Sequence, residues 1–179
     1  MGRDKALLVV DGRTLAERGA QLLSEVAAPV LEVGPGHSGL PAVREDPPGT
    51  GPLAALCAGA AELRRLGHDG AVLLLAVDMP FVTTALLRLL AGRPGAATAV
   101  PRDGGGRPQP LCARYGAGAL AVADRLVAAG ERSLRALLTA VSAEIGWVDR
   151  AEWAPVAGPD PFRDLDTPED LASHDGFHG

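Results

Sequence analysis

Short apolar blocks of strand length alternate along the chain with segments of helical period, and clusters of Gly, Pro and Asp separate them. Residues 6–10 read as a strand, Asp11-Gly12 as a turn, and Thr14 with Glu17 as a capping box. The helix this box opens runs to Ala27 with Leu15, Leu22, Leu23 and Val26 on one face. Strands follow at 30–33 and 42–44, the first ending in the loop 34–39 of sequence GPGHSG. Pro52 suits the first turn of a helix, whose period persists to Leu66 before Gly67 ends it. The unbroken apolar run 71–77 has the composition of a strand buried on both faces of a parallel sheet, and it stops at Asp78-Met79-Pro80.

The same alternation continues to the carboxyl end. A helix is expected at 83–91, then a strand at 96–101, a tight turn at 103–106 and a returning strand within 109–115, the pair forming a hairpin. Helices at 117–129 and 133–141, a strand at 144–148 and a Pro/Gly loop at 155–161 come next. Thr167, Pro168, Glu169 and Asp170 have the N-cap, Pro and acidic residues of a last helix start. Residues 173–179 read as a flexible tail. Strands alternating with helices predict an α/β domain with a mostly parallel sheet, and no repeat or linker divides the 179 residues.

Composition narrows the function. With 47% hydrophobic and 22% charged residues the chain is too apolar to stay disordered. No apolar run approaches the roughly 18 residues of a membrane helix, so a soluble protein with no membrane partner is expected. A net charge of −5 argues against duplex nucleic acid as a partner, since that needs a basic stripe. Cys57 and Cys112 lack metal-finger or CxxC spacing and no signal peptide precedes them, so both are expected reduced, buried and cytoplasmic. Lys5 is the only lysine in a chain that otherwise uses Arg, which marks a compact point charge or mere chance.

In an open α/β sheet, ligands collect outside the carboxyl ends of the strands. Asp78 sits at such an end, either as a Mg²⁺ ligand or as a cap for the next turn. Asp46 repeats that geometry ahead of Gly49-Thr50-Gly51, a loop that can bring backbone N–H groups to a phosphate at a helix start or can simply be a loop. Asp164 and Asp166 flank Leu165, so in extended chain they share one face, as a metal pair or as solvated acids. Gly104-Gly105-Gly106 lacks dinucleotide-fingerprint spacing, and His174 with His178 lies in the tail.

Six segments in order carry a resemblance. They are the MGRDKALL start, Asp46 with Pro48-Gly49-Thr50-Gly51-Pro52-Leu53, Asp78-Met79-Pro80-Phe81, Arg107-Pro108-Gln109-Pro110-Leu111, Ser133-Leu134-Arg135, and 164–171 of sequence DLDTPEDL. Together they resemble the molybdenum cofactor guanylyltransferase family. The resemblance implies a Rossmann-like, three-layer nucleotidyltransferase fold that moves GMP from GTP to molybdopterin cofactor. It implies Lys5 on the nucleotide phosphates, Asp46, Gly49 and Gly51 in the nucleotide site, and Asp78 on both nucleotide and Mg²⁺. Asp164 and Asp166 stand as further metal ligands, although the family often has Asn there, and Arg107 and Gln109 as the acceptor side. Protein partners on this pattern are molybdoenzymes or cofactor-biosynthesis proteins. In the family a strand and a glycine-rich loop precede the segment that opens this chain, so such a piece is expected upstream of Met1. A molybdopterin cytidylyltransferase or a related nucleotidyltransferase on another phosphorylated acceptor, and a catalytically silent nucleotide-binding or scaffolding module, are the competing expectations.

Overall fold

The computed structural model describes residues 4–93 and 98–163. The expected metal pair Asp164 and Asp166, the helix at 167 and the tail 173–179 lie outside the described residues. The α/β class holds, with eight strands and six α-helices among them.

The amino end departs first from expectation. Instead of one strand over 6–10, Lys5–Leu7 forms a single 3-10 turn, because the Asp4 carboxylate accepts from the Ala6 N–H and caps it. β1 (Val9–Val10) then pairs with β2 (Arg13–Thr14) across Asp11 and Gly12, both at positive φ as a tight hairpin turn requires. The capping box on α1 (Leu15–Ser24) is formed as expected: Glu17 N–H donates to Thr14 Oγ1, and Thr14 N–H donates back to Glu17 Oε2. β3 (Glu32–Val33) and β4 (Ala42–Val43) make a parallel pair, followed by α2 (Pro52–Arg65). A Cβ on Gly59 would stand 3.0 Å from Val33, so the absence of a side chain there sets how closely α2 lies on β3.

The main sheet contains β5 (Val72–Leu75), β6 (Thr98–Pro101), β7 (Cys112–Tyr115) and β8 (Ile145–Val148) in the order β5-β7-β6-β8. β7 runs against both β5 and β6, as the hairpin pattern predicted, while β6 and β8 are parallel. Three of the four strands therefore point the same way. Side chains alternate between the two faces with period two. Val100, Ala113, Tyr115 and Ile145 meet α2, α4 (Ala117–Ala128) and α5 (Leu134–Ala140) on one face. Ala99, Cys112 and Val148 meet α3 (Thr84–Ala91) and α6 (Arg150–Ala157) on the other, giving three layers and two cores.

Two expectations are corrected here. Residues 155–161 read as a Pro/Gly loop, yet Pro155 lies inside α6. Asp149 and Glu152 form a capping box, and buried Trp153 donates its indole N–H to the Arg102 carbonyl at 2.7 Å, so tertiary packing overrides the proline. β5 was expected buried on both faces, yet all four of its residues are only partly buried, because among the described residues no strand pairs with one of its edges. Cys112 is buried as expected and Cys57 only half so; burial pushes both thiols up to about 12.

Leu86, on α3, has no exposed surface and anchors the second core. Leu86→Ala is expected to destabilise the fold by ~2–5 kcal/mol through lost burial and a residual cavity. At roughly 2–4 °C per kcal/mol for a domain of this size, thermal unfolding should show a clear drop.

Candidate active site

β5 ends in the chain direction that delivers Asp78 to the carboxyl edge of the main sheet, where the apolar run gives way to Met79 and Pro80. Across from it, the 3-10 turn carries Lys5, whose Nζ stands 3.7 Å from Asp78 Oδ2. Both side chains are roughly one-third exposed, at 38% and 30%, so each can still reach a solute. Seventy-odd residues of sequence separate a lone ammonium and a strand-end carboxylate that the fold sets side by side.

The Lys5 turn is tied back to β3 through a short series of polar contacts. Glu32 Oε1 accepts from the backbone N–H groups of Gly36 and His37, and Oε2 from the Ser38 N–H and hydroxyl. Burial pushes the Glu32 carboxyl up, but these four donors outweigh it and hold the carboxyl at about 2. The loop so closed presents His37, whose Nε2 lies 3.1 Å from Asp4 Oδ2. Asp4 in turn caps the turn that carries Lys5. The GPGHSG loop thereby acts as a strut beneath the candidate site.

Asp46, Gly49 and Gly51 occupy the connection from β4 to α2. Asp46 is exposed, Glu45 accepts from the Gly49 N–H at 2.9 Å, and the Thr50 hydroxyl donates to the Pro47 carbonyl. Gly49 and Gly51 both have positive φ. A Cβ on Gly51 would also meet the Arg132 carbonyl at 3.2 Å, so glycine is needed there for both the turn and the close approach. Pro52 follows at the first position of α2, leaving the start of a fourteen-residue helix without a side-chain cap. Pro52 has no N–H, and the Leu53 N–H donates to the Arg132 carbonyl at 3.3 Å, so part of this helix start is already satisfied within the protein.

Arg107 and Gln109 line a second cleft of about 660 Å³ together with Arg135, Thr139 and Trp147. Asp103 organises it. Its Oδ1 accepts from the backbone N–H groups of Gly105 and Arg107, and its Oδ2 from Arg107 Nε and Gln109 Nε2. Against the upward push of burial, these bonds and the Arg107 charge hold the Asp103 carboxyl below its ordinary value. Trp147 forms an aromatic wall with the Arg102 guanidinium 4.1 Å from its ring centre. Among the described residues no three His, Cys, Asp or Glu side chains cluster as a ready-made metal cage.

The model of the MobA-like NTP transferase domain matches residues 1–145. The chain belongs to this family. Among its relatives, probable molybdenum cofactor guanylyltransferases, the one from Mycobacterium tuberculosis is 38% identical over 155 residues, 80% of this chain and 75% of that protein. The one from Chloroflexus aggregans is 33% identical over 191 aligned positions, 95% of this chain and 85% of that protein. Solved structures give the same fold. The molybdopterin-guanine dinucleotide biosynthesis protein A of Archaeoglobus fulgidus superimposes with a TM-score of 0.74 at 21% identity, covering 96% of this chain and 89% of that one. A 2-C-methyl-D-erythritol 4-phosphate cytidylyltransferase from Thermus thermophilus follows with a TM-score of 0.61 at 23% identity, covering 96% and 92%.

This MobA-like protein is therefore a nucleotidyltransferase of the branch concerned with molybdenum cofactor. Sequence reasoning singled out the Lys5 and Asp78 positions that the fold brings together, and missed Asp103, Arg135 and Trp147. Asp103 was legible: an Asp directly before a glycine run, four residues ahead of an Arg and six ahead of a Gln, has the spacing of a carboxylate that caps its own turn. Trp147 and Arg135 join the cleft only through packing of β8 and α5. For a divalent cation, Asp78 offers a partly exposed hard oxygen donor, the donor type Mg²⁺ takes from one or two protein carboxylates.

An exposed ammonium–carboxylate pair contributes about 0–1 kcal/mol to stability. Asp78→Asn should accordingly leave the melting temperature within roughly 4 °C of the parent, as read by thermal unfolding. A larger loss would assign the pair a structural role. Glu32 behaves differently, because its folded carboxyl lies at about 2 against an ordinary 4.5. Its stabilising contribution is complete above the higher value and fades as pH falls toward the lower one. Glu32→Gln should be less stable than the parent in urea at neutral pH, with the gap closing as pH drops through that window.

Proposed function

We propose that this chain transfers GMP from GTP to molybdopterin cofactor and releases pyrophosphate. The observation that carries this reading is the Lys5–Asp78 pair at the carboxyl end of β5, in a chain whose similar relatives bear the name of that activity. An acceptor phosphate oxygen attacks the α-phosphorus of GTP; the new P–O bond forms there, and the bond to the β-phosphate's bridging oxygen breaks. The attacking phosphate is already anionic at neutral pH, so no side chain need remove a proton. The protein's task is alignment and charge.

Lys5 offsets the negative charge that builds on the leaving pyrophosphate. Asp46, Gly49 and Gly51 border the nucleotide in the loop that leads into α2. Asp78, with Asp164 and Asp166 as further candidates, would hold Mg²⁺, which when bound would supply Lewis-acid charge to the phosphate oxygens. Arg107 and Gln109 receive the acceptor, and Arg135 adds a second cation beside the Trp147 wall. Reduced thiols at Cys57 and Cys112 suit a cytoplasmic setting, and molybdoenzymes or cofactor-biosynthesis proteins are the partners to which the product would pass.

The test pairs a binding titration with turnover. GTP with Mg²⁺ should bind saturably and CTP at least about tenfold more weakly, a difference of 1.4 kcal/mol. Asp78→Ala should abolish Mg²⁺-dependent pyrophosphate release from GTP and molybdopterin while circular dichroism stays unchanged. Preference for CTP would move the assignment to cytidylyl transfer. Absence of saturable binding by GTP, CTP and ATP would leave only a silent binding module.

A further inference from the structure

The bonds around Gln109 fix its orientation as well as its place. Its backbone N–H donates to the Pro101 carbonyl at 2.8 Å and its carbonyl accepts from the Cys112 N–H at 3.1 Å, so the residue is pinned between β6 and β7. The side-chain nitrogen faces two oxygens, Asp103 Oδ2 at 3.1 Å and the Arg107 carbonyl at 3.4 Å. An ionised carboxylate and a carbonyl have no proton to give, so the amide cannot turn over without setting oxygen against oxygen. Among the described residues Gln109 Oε1 accepts nothing, and it is the polar atom this residue has left for a ligand of the cleft. Asp103 imposes the orientation from a protected position, its side chain being 13% exposed against 86% for Arg107. A Cβ on Gly105 would stand 3.3 Å from Asp103 Oδ1, so the glycine run lets the carboxylate fold back over its own turn. From there Oδ2 also accepts from Arg107 Nε at 3.2 Å, which leaves the two terminal guanidinium nitrogens for an anion.

We propose that Asp103 is a positioning residue that sets the polarity of this cleft. It holds Gln109 so that Oε1 accepts an N–H from the bound acceptor, while Arg107 and Arg135 donate to the acceptor's phosphate. The substrate class that fits is a phosphorylated heterocycle with an N–H donor edge. This rests on the transfer reading above, whose acceptor has both parts: the amino-pyrimidinone edge of a pterin carries N–H donors, and the phosphate is the anion. A ring that presents only a lone pair at that point meets the lone pairs of Oε1 and is disfavoured, so the amide's orientation is a device of selection as well as of binding.

The test reverses the hydrogen bond. In Asp103→Asn the Gly105 and Arg107 N–H groups keep the new amide's oxygen, so its nitrogen takes the place of Oδ2 and meets the Gln109 nitrogen, donor against donor. Gln109→Glu alone sets carboxylate against carboxylate. Each single change should raise KM for molybdopterin about tenfold, the scale of one lost charge-assisted bond, with GTP affinity and circular dichroism unmoved. The two changes together keep the net charge and let an amide donate to a carboxylate, so an oxygen again faces the ligand. KM of this double variant should fall below that of either single one. A double variant as poor as either single one, or poorer, overturns the proposal. Gln109→Met leaves the backbone bonds of the Asp103 turn in place and removes the oxygen; it too should raise KM about tenfold, and an unchanged KM overturns the proposal. A second readout needs no turnover. In heteronuclear NMR of the protein without ligands, the Gln109 side-chain NH₂ protons should exchange with water about tenfold faster in Asp103→Asn than in the parent. Equal exchange overturns the positioning role. A parent that fails to turn over molybdopterin refutes the transfer reading alone, and the exchange comparison then decides the role of Asp103.

Discussion

The insertion of β7 between β5 and β6 is the constraint on which the rest of this molecule depends. β5 bonds to no other strand of the main sheet, so every polar group that ties the longest apolar run to the domain passes through β7. The same strand divides its side chains between the two cores, Ala113 and Tyr115 to one and Cys112 to the other. Tyr115 also donates its hydroxyl to the Pro110 carbonyl at 2.7 Å, which satisfies a polar atom that burial would otherwise leave costly. Remove the pairing and neither helical layer keeps a sheet to pack on.

A sheet held in this way makes Asp78 a well-placed carboxylate, since the strand before it cannot slide without moving both cores. The loops around it have no such core beneath them, and the chain stabilises them by another device. Glu32, Glu45, Asp103 and Glu131 each accept backbone N–H groups from residues a few positions further along. One acid closes each turn. These bonds are charge-assisted, and those of Glu32 are numerous enough to overcome the burial that opposes ionisation. Irregular segments next to the candidate site are thus kept in shape by carboxylates of the protein's own, whose charge is spent on backbone donors.

Much of the fold was legible because periodicity reports burial directly. The α1 box, the α2 start at Pro52, the β6–β7 hairpin and the placing of Asp78 after a strand all follow from local pattern. The misreadings have separate physical causes. Pro155 signals a break, yet the Trp153 indole bond to Arg102 and its burial keep α6 helical. Residues 6 and 7 read as the start of a strand, yet the Asp4 cap two positions earlier winds them with Lys5 into a turn. The run before Asp78 looks doubly buried because its side chains are apolar, and composition carries no record of whether a neighbour pairs with the strand.

The amino-acid sequence by itself determined the α/β alternation, the helix starts and the residue types able to handle phosphate, because each depends on groups within a few positions of one another. Tertiary structure alone decided which of them meet. Lys5 reaches Asp78, Glu32 steadies the turn beneath Lys5 through His37 and Asp4, and Trp147 joins Arg107 and Gln109 in one cleft. Those meetings are set by strand order and by the packing of helices on two faces, which are long-range choices among pairings that a local pattern leaves equivalent.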